Sequence, residues 1–283
     1  MERRSAIRNI SLASAAPFLP FSPMLPEKIV DRKFKHSVCR WCYKDFTLEE
    51  LCIMAKTAGI QSIELLDPAE WDIVLNNGLQ IALSNGSSLG IVKGFNNPVH
   101  HDQLRHELMD IIPKAAAKGI PQVIVFSGNR NGLTEDQGIE NCAIGLDPVI
   151  KIAEKYDVRI VMELLNSKIN HKDYQCDHTP WGIKLVDKVG STHFKLLYDI
   201  YHMQVMEGDV INTITTFKDY IGHYHTAGVP GRNEIDDTQE LYYPAIMRAI
   251  AETGFSGYVA QEFIPKSGDP LKSLIDSIRI CSV

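Results

Sequence analysis

The amino-acid sequence predicts a single (β/α)8 barrel, on three observations. From His36 onward, short β-rich runs alternate with helical patterns. Eight such runs fit within about 250 residues, a length that one barrel routinely occupies. The Gly-x-Gly-x-x-Gly turn that an open doubly wound sheet carries after an early strand is missing, since Asn85-Gly-Ser-Ser-Leu-Gly90 has too few glycines. Strands alternating with helices call for a parallel sheet, and eight of them close most simply into a barrel. The barrel is assigned to residues 34–283.

Taken in order, the predicted strands are His36–Cys42, Gln61–Leu66, Gln80–Ser84, Gln122–Ser127, Arg159–Leu165, Phe194–Ile200, Ile221–Thr226 and Gly257–Phe263. Each is a short apolar or β-branched run bounded by turn residues. Thr47-Leu-Glu-Glu50 is a capping box that opens a helix ending before Gly59. Further helices are predicted over Asp102–Lys118, stopped by Gly119, over Ile139–Tyr156, ending near Asp157, and over Leu241–Thr253, stopped by Gly254.

Residues 1–33 differ from the rest. Arg3-Arg4 precedes a weakly apolar stretch, Ile10 to Leu25, which carries Pro17, Pro20, Pro23 and the small-residue pattern Ala13-Ser14-Ala15. The adjacent arginines resemble a twin-arginine export signal. A signal here implies a periplasmic protein, and a plain N-terminal extension a cytoplasmic one.

The 283 residues carry a net charge of −6, with 45% hydrophobic and 23% charged residues. That balance is ordinary for a soluble chain and argues against a nucleic-acid partner. No apolar run reaches the about 18 residues a spanning helix needs, so no membrane partner is expected. A small molecule is the expected partner, and a homo-oligomer is left open. Among Cys39, Cys42, Cys52, Cys142, Cys176 and Cys281, only the first two are close-spaced. Residues three apart in a strand face opposite sides, so six unpaired thiols are expected.

In a barrel, reacting groups sit at the C-terminal strand ends. Strand five, Arg159-Ile-Val-Met-Glu163, ends on a carboxylate, as do strand six, Lys195-Leu-Leu-Tyr-Asp199, and strand eight, Tyr258-Val-Ala-Gln-Glu262. Strand seven, Ile221-Gly-His-Tyr-His225, ends on an imidazole. Three carboxylates around one mouth are costly without a cation, and with one imidazole they suit Mn²⁺, Mg²⁺, Co²⁺ or Zn²⁺. His202 and Arg232 follow closely enough to reach a substrate hydroxyl or carboxylate. His223 shares a face with His225 but lies deeper and reads as a packed histidine. Glu234, Asp236 and Asp237 read as solvated loop charges. Trp41, Glu64 and His100-His101 could face or cover the mouth, and Ser127–Arg130 could line it. Singly, each reads as a packing or surface group. No nucleophile elbow is read and His-x-x-x-His zincin spacing does not occur, so hydrolases have no support.

At Met162-Glu-Leu-Leu-Asn166, Tyr198-Asp-Ile-Tyr-His-Met-Gln204 with Glu207-Gly-Asp209, His223-Tyr-His225 with Gly228-Val-Pro-Gly-Arg232, and Gln261-Glu-Phe263, the chain resembles the xylose-isomerase-like barrels. Among them it is most similar to the hydroxypyruvate isomerase family, and more distantly to the D-tagatose/D-psicose 3-epimerases. The resemblance implies one divalent metal held by Glu163, Asp199, His225 and Glu262. It also implies Glu163 and Glu262 as the acid/base pair, and substrate contacts from His202 and Arg232. The implied reaction, in carbohydrate metabolism, interconverts hydroxypyruvate and tartronate semialdehyde through an enediolate. Where the epimerases carry a further Glu, six residues past the strand-five ligand, this chain has Ile169. An epimerase or dehydratase of a sugar or inositol derivative and a non-catalytic barrel binding protein are the alternatives. The loop Asn166-Ser-Lys-Ile-Asn-His171, continued by Asp173-Tyr174 and Asp177-His178, is expected over the mouth.

Overall fold

The computed structural model describes residues 33–283, so the predicted export signal lies outside the described residues. Seven named strands form one sheet: β1 (Lys35–Cys39), β2 (Ser62–Glu64), β3 (Gln122–Val125), β4 (Arg159–Glu163), β5 (Phe194–Asp199), β6 (Ile221–Thr226) and β7 (Tyr258–Gln261). Their spatial order is β2-β1-β7-β6-β5-β4-β3, and every pair is parallel.

Residues 80–84 close the remaining gap between β2 and β3, but through isolated bridges instead of a regular strand. Ile63 N–H donates to Gln80 O (3.1 Å) and Leu65 N–H to Leu83 O (2.9 Å), while Ile124 N–H on the other side donates to Ser84 O (3.0 Å). The ladder breaks in the middle because the Ser62 hydroxyl takes the Ala82 N–H at 2.8 Å. The predicted third strand therefore does its topological work without the regular pairing expected of it.

The helices lie between the strands. α1 (Leu48–Thr57) opens on the predicted capping box at Thr47 and Glu50. α2 (Trp71–Asn76) follows, then α3 (His101–Ala117). α4 (Glu135–Tyr156) begins four residues before Ile139, at a second capping box formed by Thr134 and Gln137. α5 (Thr179–Val189), α6 (Ile200–Met206), α7 (Val210–Thr216), α8 (Tyr243–Glu252) and α9 (Pro270–Cys281) complete the set. Among the described residues, no helix is long and apolar enough to cross a membrane. β1 stops at Cys39, and Arg40–Tyr43 turns as a 3-10 helix, so the close-spaced cysteines do not share a strand. All six cysteines are free and buried, as expected.

Alternation along the strands positions the site. Leu83, Ile124, Val161 and Leu197 form a separate apolar cluster within the barrel. Residues two apart in a strand share a face, so Val161 sets the face of Glu163 and Leu197 that of Asp199. The polar strand ends therefore rest on an apolar layer that water does not enter.

Candidate metal centre and active site

Glu163, Asp199, His225 and Glu262 each bring one donor atom within 4.8 Å of the others, and all four are buried. Register explains much of this, since Asp199 on β5 pairs directly with His225 on β6. His225 Nδ1 lies 2.7 Å from Glu262 Oε2 and 3.5 Å from Glu163 Oε1. Glu163 Oε1 is buried yet has no hydrogen-bond partner. A buried oxygen left without a donor, in a set of three carboxylates and one imidazole, fits a hard or borderline divalent cation.

Electrostatics separate the carboxyls. Burial pushes Asp199 up to about 8, against the pull of Arg232 and with help from Glu262 and Glu163. Burial, and then Glu262, also raises Glu163. Burial acts in the same direction on Glu262, but Arg232 and His225 outweigh it and hold that carboxyl well below the usual range. Neighbouring carboxyls pushed apart in this way suit division into acid and base.

Arg232 supplies the local positive charge. Its Nη2 donates to Glu262 Oε2 at 2.6 Å and to Asp199 Oδ2 at 3.1 Å. The guanidinium lies over the rings of Trp41 and Tyr201, 5.0 and 5.6 Å from their centroids. Its backbone sits at φ +60°, a region that disfavours side chains other than glycine. Trp41, read from sequence as a packing group, instead donates its indole N–H to Glu262 Oε1 at 2.7 Å.

His202 is the second imidazole here. The Asn166 backbone N–H and side-chain amide lie 3.1 and 2.6 Å from His202 Nδ1. That network makes Nδ1 an acceptor and assigns the ring proton to Nε2. Nε2 has no hydrogen-bond partner and stands 3.7 Å from Asp199 Oδ2. Burial, and then Arg232, holds the pKa of His202 well below its usual value, so the ring is neutral.

A cavity of about 350 Å³ opens beside the cluster. Glu163, Glu262, Arg232, His171 and Trp41 line it, and Leu65, Ile91, Ile124, Phe126 and Leu165 contribute apolar wall. His171 brings the 166–178 loop into this lining, as its place over the mouth predicted. Tyr174 anchors that loop: its hydroxyl donates to Glu163 O at 2.9 Å and accepts from Ser127 N–H at 3.1 Å.

Several single-residue readings change. Glu64 is fully buried and accepts from His223 Nε2 and His225 Nε2, each at 2.8 Å. Its place late in a predicted strand is the signal by which the sequence offered Glu64 at the mouth, and its two imidazole partners replace the packing or surface reading. Glu234 is buried, not solvated, and accepts the N–H groups of Lys266 and Ser267, each at 2.7 Å. It thereby ties the loop carrying Arg232 to the loop after β7. His101 does not cover the mouth, because its ring is buried against Phe95 O at 2.8 Å. Ser127 and Arg130 hold the 166–178 loop, through Cys176 N–H at 3.0 Å and Asp177 at 2.7 Å. His223 is packed, as expected.

A family model described as the xylose isomerase-like TIM barrel matches residues 54–281. The chain belongs to this family. Among its relatives, the hydroxypyruvate isomerase of Escherichia coli K12 is 29% identical over 227 residues, covering 75% of this chain and 86% of its own length. The 2-oxo-tetronate isomerase of Pectobacterium atrosepticum is 25% identical over 227 residues, covering 75% and 84%. Among solved structures, an AP endonuclease of family 2 from Brucella melitensis superposes with a TM-score of 0.77 at 21% identity, over 85% of this chain and 97% of its own. The D-psicose 3-epimerase of Clostridium cellulolyticum H10 gives 0.69 at 17% identity, over 86% and 90%. At these identities the two structures show a shared fold alone.

Proposed function

We propose that this chain is a divalent-metal-dependent isomerase of a small hydroxy-keto acid, of the hydroxypyruvate/tartronate semialdehyde type. The isomerase class follows its curated relatives, named hydroxypyruvate isomerase and 2-oxo-tetronate isomerase. The observation that carries the reading is the convergence of Glu163 and Glu262 with Asp199 and His225 beside a cavity that Arg232 also lines.

Glu163, Asp199, His225 and Glu262 would hold the cation, whose chemistry is to polarise a substrate carbonyl and stabilise charge developing on its oxygen. One glutamate, as carboxylate, takes a proton from the hydroxyl-bearing carbon, the other, as carboxylic acid, gives one to the neighbouring carbonyl carbon, and a proton passes from the hydroxyl oxygen to the carbonyl oxygen. His202 offers its Nε2–H to a substrate oxygen. Arg232 attracts a substrate carboxylate, and Trp41 holds Glu262 in place. The apolar wall keeps bulk water off the reacting carbons, and the glutamates exchange their protons with solvent between turnovers.

The test is proton NMR in D₂O with Mg²⁺-loaded protein, offering hydroxypyruvate and, separately, ketoses and inosose. Loss of a specific C–H signal from hydroxypyruvate, absent in Glu262→Gln, is expected. Silence with every compound despite metal binding would overturn the reading. A cavity of about 350 Å³ leaves room beyond a three-carbon acid. That favours, as a second reading, an epimerase or dehydratase of a larger sugar or inositol derivative, and exchange confined to the larger compounds would select it. Arg3-Arg4 supports a periplasmic location, which fractionation of the native host would check.

A further inference from the structure

We infer that Glu64 is a positioning residue: through one carboxylate oxygen it fixes the orientation and tautomer of His225, so that Nδ1 faces the metal cluster. The inference rests on the reading of that cluster as a cation site.

Glu64 ends β2 in register with Cys39 on β1, and its side chain meets β6 inside the barrel. His223 and His225 are two apart on β6 and so share a face. Their rings stand 5.2 Å apart with planes at 84°, which brings both Nε2 atoms to the same acceptor. Glu64 Oε1 receives both, each at 2.8 Å. A buried carboxylate left alone would be costly, and two N–H donors offset that cost. The consequence for His225 is directional. An anionic acceptor at Nε2 keeps a proton there, so Nδ1, which here donates to Glu262 Oε2 at 2.7 Å, is the nitrogen that would give up its proton to a cation in the cluster. Outer carboxylates are known to set metal-binding histidines in this manner.

The same atoms admit a rival use. Glu64, His223 and His225 could hold a second ion, with Cys39 Sγ 3.9 Å from Glu64 Oε1 and 4.0 Å from His225 Nε2. Two N–H groups already converge on Glu64 Oε1 at hydrogen-bond distance, which favours the hydrogen-bonded arrangement.

The experiment uses the full chain, titrated with Mn²⁺ and counted for bound metal, alongside NMR of the histidine ring N–H protons in separate Mg²⁺-loaded samples. Wild type should bind one ion per chain and show a downfield, slowly exchanging Nε2–H proton from His225. Glu64→Ala should weaken Mn²⁺ binding by about 10–100-fold and lose that resonance. Glu64→Gln, which keeps a neutral acceptor, should lose less affinity and shift the resonance upfield, and it carries the test if the alanine variant does not fold. Unchanged affinity and resonance in the variants would overturn the inference. So would two ions per wild-type chain falling to one in Glu64→Ala. A wild-type chain that keeps the resonance but takes up no divalent ion would count against the metal-site reading, while the orientation of His225 by Glu64 would stand.

Discussion

The two halves of the barrel differ in what their strand ends present to the cavity. From β4 to β7 they carry three carboxylates and an imidazole, drawn together on Glu163, Asp199, His225 and Glu262. In the first half, Leu65, Ile91, Ile124 and Phe126 supply hydrocarbon wall. A proton-transfer site needs both halves. In the proposed reaction the charged half would bind and react, while the apolar half keeps water out and strengthens every charge interaction beside it. Glu64 is the exception, a first-half carboxylate that turns inward and serves the other side.

The most severe way to break this division is to remove a reacting group. Glu262→Gln should lower the exchange rate by about 10²–10⁴-fold while leaving the fold intact, as measured by NMR exchange together with circular dichroism. Removing the shared floor should come next. Leu197→Ala deletes a fully buried side chain beneath Asp199 and should cost about 2–5 kcal/mol in urea unfolding. A smaller effect is expected at the seam. Trp41→Phe keeps a ring under Arg232 but removes the N–H donated to Glu262, and should lower kcat/KM roughly tenfold.

The least effect is expected from loosening the apolar half. Glu107 on α3 accepts from Ser87, Ser88 and Gln103, and so pins the loop that leads to Ile91. Burial raises the Glu107 pKa, but those hydrogen bonds outweigh it and bring it from 4.5 to about 2. A folded-state pKa depressed in this way adds stability above the unfolded value, and that stability is lost as pH falls through the folded one. Glu107→Gln should therefore lower Tm near neutral pH. The gap from wild type should close as pH drops from 4.5 towards 2, as followed by thermal melts.

Legibility from sequence followed the range of the interaction. Thr47 and Glu50 declare a helix start within four residues, and the structure places the capping box there. Glu163, Asp199, His225 and Glu262 were readable because each closes a run that is apolar nearly to its end, and barrel strands present their ends at one mouth. Gln80–Ser84 was legible as a place in the sheet but not as an irregular one. The Ser62 hydroxyl that takes Ala82 N–H arrives from another strand, and local pattern does not record it.

Sequence alone thus determined the fold class, the alternation of strands and helices, and four donor groups at strand ends, because all of these follow from backbone geometry over a few neighbouring residues. Tertiary structure alone decided the partners. Glu64 meets His225 across 161 residues and Trp41 meets Glu262 across 221. Arg232 reaches both Asp199 and Glu262 from a loop with a left-handed residue. Those pairings exist only once the barrel closes. Closure, not any local propensity, brings one strand's end against another's and decides which nitrogen of an imidazole faces the site.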